Sequence, residues 1–154
     1  MKKYYLATSL TLLAALSPMT AHADDEAISV SATVDVVSDY VFRGVSLAGV
    51  SVQPGIEAAY GNFTAGAWYS TEVEDQTFPA GDELDLYVGY GFDVSDTVSA
   101  SLGGTYYHYP SGGSLFATEN GAAGSYEVSA VLAFDAPCDP SVTAYYDFTF
   151  EAIT

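Results

Sequence analysis

Between Ile28 and Arg43 the side chains alternate between two chemistries, and this most narrows what the chain can fold into. Ile28, Val30, Ala32, Val34, Val36, Tyr40 and Phe42 occupy even positions, with Ser38 among them, whereas Ser29, Ser31, Thr33, Asp35, Asp39 and Arg43 occupy odd positions, with Val37 and Val41 among them. A period of two places successive side chains on opposite faces of a β-strand. One face is apolar and the other polar, so the two faces meet different surroundings. The run predicts one strand from Ile28 to Gly44. That is long for a soluble domain and suits a tilted strand crossing a bilayer.

The pattern recurs six times. A loop over 45–50 precedes a strand from Ser51 to Tyr60, with Val52, Ile56, Ala58 and Tyr60 on its apolar side. Gly61-Asn62 reads as a tight hairpin turn, since both residue types tolerate positive φ. The next strand carries Phe63, Ala65, Ala67, Tyr69, Thr71 and Val73 opposite Thr64, Gly66, Trp68, Ser70, Glu72 and Glu74, which puts Trp68 on the wet side. After a loop at 75–81, Leu84, Leu86, Val88, Tyr90 and Phe92 alternate with Glu83, Asp85, Tyr87 and glycines. A turn at 94–96 leads to a fifth strand that ends at Tyr109, before Pro110. The loop over 110–124 is the longest. Two strands follow it, Tyr126–Asp135 and Ser141–Glu151, joined by a turn at 136–140. The expected fold is all-β, an antiparallel meander of seven visible strands forming a transmembrane β-barrel.

Charge and the N-terminus locate such a chain. Lys2 and Lys3, an apolar stretch from Tyr4 to Leu16, and Ala21-His22-Ala23 form a secretory signal peptide over residues 1–23, cleaved after Ala23. The domain is therefore 24–154. After Ala23, twenty acidic side chains face a single Lys or Arg, Arg43. That imbalance makes nucleic acid and anionic lipid poor partners. No apolar run approaches the ~20 residues of a membrane helix, so a membrane would be crossed by strands. Cys138 is the only cysteine and lies in a Pro-Cys-Asp-Pro turn, so no intrachain disulfide is available.

Three regularities favour a membrane barrel over a soluble sandwich. Every strand acid falls on the polar face, where it avoids the penalty of facing lipid. Loop lengths alternate long and short, which places 45–50, 75–81 and 110–124 outside the cell and 61–62, 94–96 and 136–140 in the periplasm. Apolar-face aromatics, among them Tyr40, Phe42, Tyr60, Phe63, Tyr90, Phe92, Tyr106 and Tyr126, collect near strand ends as interfacial girdles would. A sandwich would instead leave nearly all the charge outside, with one Arg to offset it.

The stretch Ser38-Asp39-Tyr40-Val41-Phe42-Arg43-Gly44-Val45-Ser46 resembles the opening signature of the TorF-type family of outer-membrane porins. Gln53-Pro54, Gly66-Ala67-Trp68-Tyr69-Ser70, Glu83-Leu84-Asp85-Leu86-Tyr87-Val88-Gly89-Tyr90, Tyr107-His108-Tyr109-Pro110 and Tyr126-Glu127 extend the resemblance over most of the chain. It implies a Gram-negative outer-membrane barrel and no reaction. Members of that family usually continue with further strands and commonly finish on an aromatic residue. This chain stops at Thr154, and the expectation is a C-terminally truncated barrel.

The interior is expected to be lined by Asp35, Asp39 and Arg43 on the first strand and by Glu57, Glu72, Glu83, Asp85 and Tyr87 on the next three. Tyr107, Glu127 and Asp147 complete it. Arg43 is too far along its own strand from Asp39 to pair with it, and Glu57, Glu72, Glu83 and Asp85 are its candidate partners. The function expected is passive diffusion of small hydrophilic solutes through an acidic, Tyr-lined lumen. Outer-membrane lipids and a possible homo-oligomer are the partners. The alternative is a non-conducting structural or adhesive barrel filled by Trp68, Tyr87, Tyr107 and Tyr145. A lipid-modifying enzyme using His108 with Ser111 or Glu127 has less support, because no spacing ties a nucleophile to that histidine. No cofactor is expected. The acids Glu72, Glu74, Asp75, Asp82 and Glu83 read as a solvated rim more readily than as a cation site, since they lack calcium-loop spacing.

Overall fold

The computed structural model describes residues 27–73, 81–117 and 123–148, together with the backbone of 152–153. The expected signal segment 1–23, most of the expected 75–81 loop and part of the expected 110–124 loop lie outside the described residues.

Alternating sequence becomes an antiparallel meander. The main sheet contains β1 (Ser29–Val37), β4 (Ser51–Tyr60), β5 (Phe63–Glu72), β6 (Glu83–Ser95), β7 (Val98–His108), β8 (Gly124–Phe134), β9 (Ser141–Asp147) and the two-residue β10 (Ala152–Ile153), paired in that order. Between β1 and β4 the chain forms a separate hairpin, β2 (Tyr40–Phe42) and β3 (Val45–Ala48). Among the described residues β1 pairs with β4 alone and β10 with β9 alone. The sheet is thus a meander whose seven full strands are the seven expected ones, the first of them shortened.

Register carries each face across the sheet. On the polar side Gly55 faces Trp68, Trp68 faces Asp85, Asp85 faces Tyr107, and Tyr107 faces Ser125. On the other side Ile56, Ala67, Leu86, Tyr106 and Tyr126 form the matching row.

Burial is inverted relative to a water-soluble domain. Ser51 and Gln53 are 0% and 2% exposed, and Thr64, Ser70, Glu83, Asp85 and Glu127 are also buried. Val34 and Val36, by contrast, are 70% and 71% exposed, and Ile56, Phe63, Val88, Leu102, Leu132 and Val142 stand exposed on the same apolar face. Apolar area left outward in this way would, in water, forgo the stabilisation of about 25 cal/mol per Å² that removal from water supplies.

The first strand departs from its expected course. It ends at Val37, bends at Ser38-Asp39, and the chain doubles back through β2 and β3, so 45–50 is largely strand and not a free external loop. The cause lies in the ladder: β4 matches β1 residue for residue from Ser29↔Ala59 to Val37↔Ser51, and residues past Val37 would have no partner there. Arg43 and Gly44 have φ of 47° and 84°, the two left-handed central positions of a type I′ hairpin, with Phe42 opposite Val45. Tyr40 and Phe42 consequently do not join an outer girdle. Tyr40 packs on Trp68 at 5.4 Å and Phe42 on Tyr107 at 5.9 Å, both on the polar side of the sheet.

Gly66 marks where the polar face is most tightly filled. A Cβ there would meet the Tyr87 ring and the Ile56 carbonyl oxygen. Gly66→Val is expected to lower stability by about 1–3 kcal/mol through overpacking. Gly104→Ala, whose Cβ would meet only Val88 at 3.8 Å, should stay within about 0.5 kcal/mol of the parent. Urea unfolding in detergent, followed by the fluorescence of the single tryptophan Trp68, measures both. Equal midpoints for the two variants would contradict the packing described.

Candidate functional site

The site lies where the β2–β3 hairpin rests on the polar face, near the ends of β5, β7 and β9 and the starts of β6 and β8. Its centre is Glu127 on β8, 6% exposed. Arg43 Nη1 donates to Glu127 Oε2 at 2.8 Å, and Nη2 donates to Oε1 at 2.7 Å, a two-pronged ion pair. The Tyr107 hydroxyl donates to the same Oε1 at 3.0 Å. The guanidinium carbon lies 3.6 Å from the centre of the Tyr145 ring and 4.6 Å from that of Phe42. A planar cation therefore meets a fork of two acceptors and two aromatic rings, a geometry that suits a guanidinium and not an ammonium.

This partner corrects the expectation from sequence. Glu57, Glu72, Glu83 and Asp85 were the candidates for Arg43, and each has other company. Glu57 accepts from the Tyr87 hydroxyl at 3.0 Å. Glu72 accepts from the Gly49 amide at 2.8 Å, tying the end of β5 to the residue after β3. Glu83 accepts from the Tyr40 hydroxyl at 3.3 Å, and Asp85 stands between Trp68 and Tyr107 in the register. Folding the hairpin back moves Arg43 away from the β4 and β5 side of the sheet and delivers it to β8.

The remaining lining residues spread along the same face. Asp35 is half-buried on β1 opposite Gln53. Asp39, at the bend, accepts from the Ser46 hydroxyl at 2.6 Å and pins the base of the hairpin. Asp147 stands opposite Glu127 in the β8–β9 register. Past the end of β7, the phenol of Tyr109 is pushed up, first by its burial and then by Glu83, Asp85, Asp147 and Glu127.

Among the described residues, Thr64 Oγ1, Trp68 Nε1 and Asp85 Oδ1 on this face are buried without a hydrogen-bond partner. Gln53 is buried nearby, its amide nitrogen 3.2 Å from the Ser70 hydroxyl. Sequence reasoning did not single out Gln53, Tyr40 or Phe42 for this face. Gln53 was visible as an odd-position polar residue, whereas Tyr40 and Phe42 carried the parity of the apolar face and changed sides through the bend.

His108 belongs elsewhere. It lies on the apolar-side row, buried, with Nδ1 donating to the Ala123 carbonyl at 2.9 Å beneath a loop whose Phe116 packs on Tyr106 at 5.2 Å. His108 and Glu127 occupy opposite faces of the sheet, so they do not form a catalytic pair. Among the described residues no group of three or more His, Cys, Asp or Glu side chains is placed to hold a metal ion.

Removing Arg43 would leave a buried carboxylate uncompensated. Arg43→Gln should cost about 2–3 kcal/mol, within the range for breaking one side of a buried pair after allowing for partial exposure of the arginine. The double variant Arg43→Gln/Glu127→Gln should recover at least half of that loss, because the stranded charge is gone. Urea midpoints of the two single variants and the double variant measure the coupling. Strictly additive losses would show that the two side chains do not interact.

Comparison with known proteins leaves the chemistry to the geometry. No curated protein and no solved structure matches the chain. A family model does match, over residues 21–149. The chain belongs to Gcw_chp, a family of bacterial proteins of unknown function.

Proposed function

We propose that this protein is an outer-membrane β-barrel, delivered by a cleaved N-terminal signal, whose acidic interior passes small hydrophilic solutes by diffusion. The observation that carries this reading is the inversion of burial: valine, leucine and phenylalanine stand outward while glutamate, aspartate and glutamine are sheltered within. An apolar outward band and a polar interior are what a strand needs when lipid replaces water on one side. Closure into a barrel completes the reading, because an unpaired strand edge in lipid costs several kcal/mol for each unsatisfied backbone group. The resemblance of Ser38–Ser46 to a porin signature points the same way.

A second reading has its own observation. The hairpin occupies the polar face with Tyr40, Phe42 and Arg43, and Trp68, Tyr107 and Tyr145 fill the space around it. A barrel of about eight strands has an interior that side chains can fill. Such a barrel would be a structural or adhesive surface protein and would not conduct.

Planar-bilayer recording of the refolded protein separates the two. The diffusion reading predicts discrete current steps with cation preference, since carboxylates dominate the interior. A folded, heat-modifiable protein that yields no steps would overturn diffusion in favour of the filled barrel. Membrane residence itself is checked by Val128→Asp and Ser129→Asp. Val128 faces outward and Ser129 inward beside Tyr145. The first variant should lose most heat-modifiable folding in lipid, and the second should retain it. Equal folding of the two would contradict the assignment of faces.

A further inference from the structure

The receptor half of the Arg43–Glu127 pair is a made niche, and only its occupant is exposed. Glu127 is 6% exposed, whereas the Arg43 side chain is 32% exposed. Each Arg43 contact is made by the tip of the side chain: two nitrogens on two carboxylate oxygens, and the guanidinium plane against Tyr145. Nothing in those contacts requires that the guanidinium belong to this chain. Tyr107 also donates to Glu127 Oε1, a bond that does not pass through Arg43.

The occupant rides on a small element. The hairpin is two short strands, three and four residues long. Apart from Arg43, its described side-chain contacts with the sheet are the Tyr40–Glu83 hydrogen bond at 3.3 Å and the packing of Tyr40 on Trp68 and of Phe42 on Tyr107. On the same face Asp147 stands opposite Glu127, and Asp85, whose Oδ1 is buried without a partner among the described residues, stands opposite Tyr107. The face around the niche is acidic, and the element that carries Arg43 is short.

We propose that the niche formed by Glu127, Tyr107 and Tyr145 is a binding site for the guanidinium group of small basic solutes, that Arg43 is its tethered occupant, and that a free guanidinium compound displaces Arg43 and lifts the β2–β3 hairpin from the polar face. The binding step stands by itself; its consequence for passage rests on the diffusion reading above. A guanidinium is selected over an ammonium because only the planar fork makes two parallel bonds to one carboxylate while lying flat on a ring. Competition against a short tether demands concentrations of about 1–50 mM, since a tethered group acts at an effective concentration in the millimolar range.

Trp68 reports the displacement, because it is the single tryptophan and Tyr40 of the hairpin packs on it. The purified protein, folded in detergent, is titrated with agmatine and, separately, with 1,4-diaminobutane at matched ionic strength. The two probes carry the same charge and differ in having a guanidinium or an ammonium at one end. Agmatine should change the Trp68 emission saturably, and the diamine should need at least about tenfold more. In Arg43→Lys the weaker tethered occupant should yield to about tenfold less agmatine. Glu127→Gln should abolish the saturable response. If that variant does not fold, Arg43→Lys decides. Equal responses to the two probes, a response that does not saturate, or an unshifted midpoint in Arg43→Lys would each overturn the proposal. Bilayer current tests the other reading separately: saturable agmatine binding without current would leave the niche standing and remove diffusion, and current without saturable binding would do the reverse.

Discussion

A strand sends alternate side chains to opposite faces, and in this chain that geometric fact decides which surroundings each half of the sequence must meet. The outward half is valine, leucine, isoleucine, phenylalanine and alanine, and the inward half holds the carboxylates. Once the sheet forms, acids that would be harmless in bulk water are gathered on one sheltered surface. Carboxylates in that position need donors or cations, because a charge removed from water without compensation costs several kcal/mol. Much of the structure answers this need. Tyrosine hydroxyls from Tyr40, Tyr87 and Tyr107 point at Glu83, Glu57 and Glu127, and a backbone amide at Gly49 serves Glu72.

One guanidinium remains for the buried carboxylate on β8, and the chain bends back on itself to deliver it. The nine residues from Ser38 to Ser46 divide the labour closely. Ser38 and Asp39 make the bend, Tyr40 reaches Glu83 and Trp68, Phe42 packs on Tyr107 and beneath the guanidinium, Arg43 grips Glu127, Gly44 completes the left-handed turn, and Ser46 ties back to Asp39. Arginine itself stands at a φ of 47°, a conformation with a modest cost for a side chain that bears a Cβ. The ion pair and the cation–ring contacts with Tyr145 offset that cost.

Much of this was legible before any coordinates. The bounds of β4, the Gly61-Asn62 turn and the inward direction of Trp68 follow from parity and turn chemistry, and the structure agrees at each. Membership of the polar face was readable for Glu57, Glu83, Asp85, Tyr87 and Glu127, because period two is a local property. The break after Val37 left only a short lapse in the period, Val36-Val37 followed by Ser38-Asp39, before alternation resumes on the same parity at Tyr40, so the run read as one strand. What ends β1 is the length of its partner β4, a fact about pairing between segments. The same limit hid the Arg43–Glu127 contact. Register between neighbouring strands constrains neighbours on the ladder, whereas this pair joins residues 84 apart through space above the sheet. The Arg43-Gly44 step beside a Ser-Asp pair was the available signal, a possible tight turn overruled by a long hydrophobic alternation.

The central claim is that the two faces of this sheet meet lipid and an enclosed polar space. Its most direct test is nitroxide scanning of β8, one residue at a time from Gly124 to Phe134, in lipid vesicles with Cys138 replaced by serine. Collision with oxygen, which concentrates in lipid, and with a water-soluble nickel complex is recorded at each position. The account predicts oxygen maxima at Tyr126, Val128, Ala130 and Leu132, with minima at Glu127, Ser129, Val131 and Ala133. A uniform profile, or high nickel accessibility at Val128 and Leu132, would contradict it.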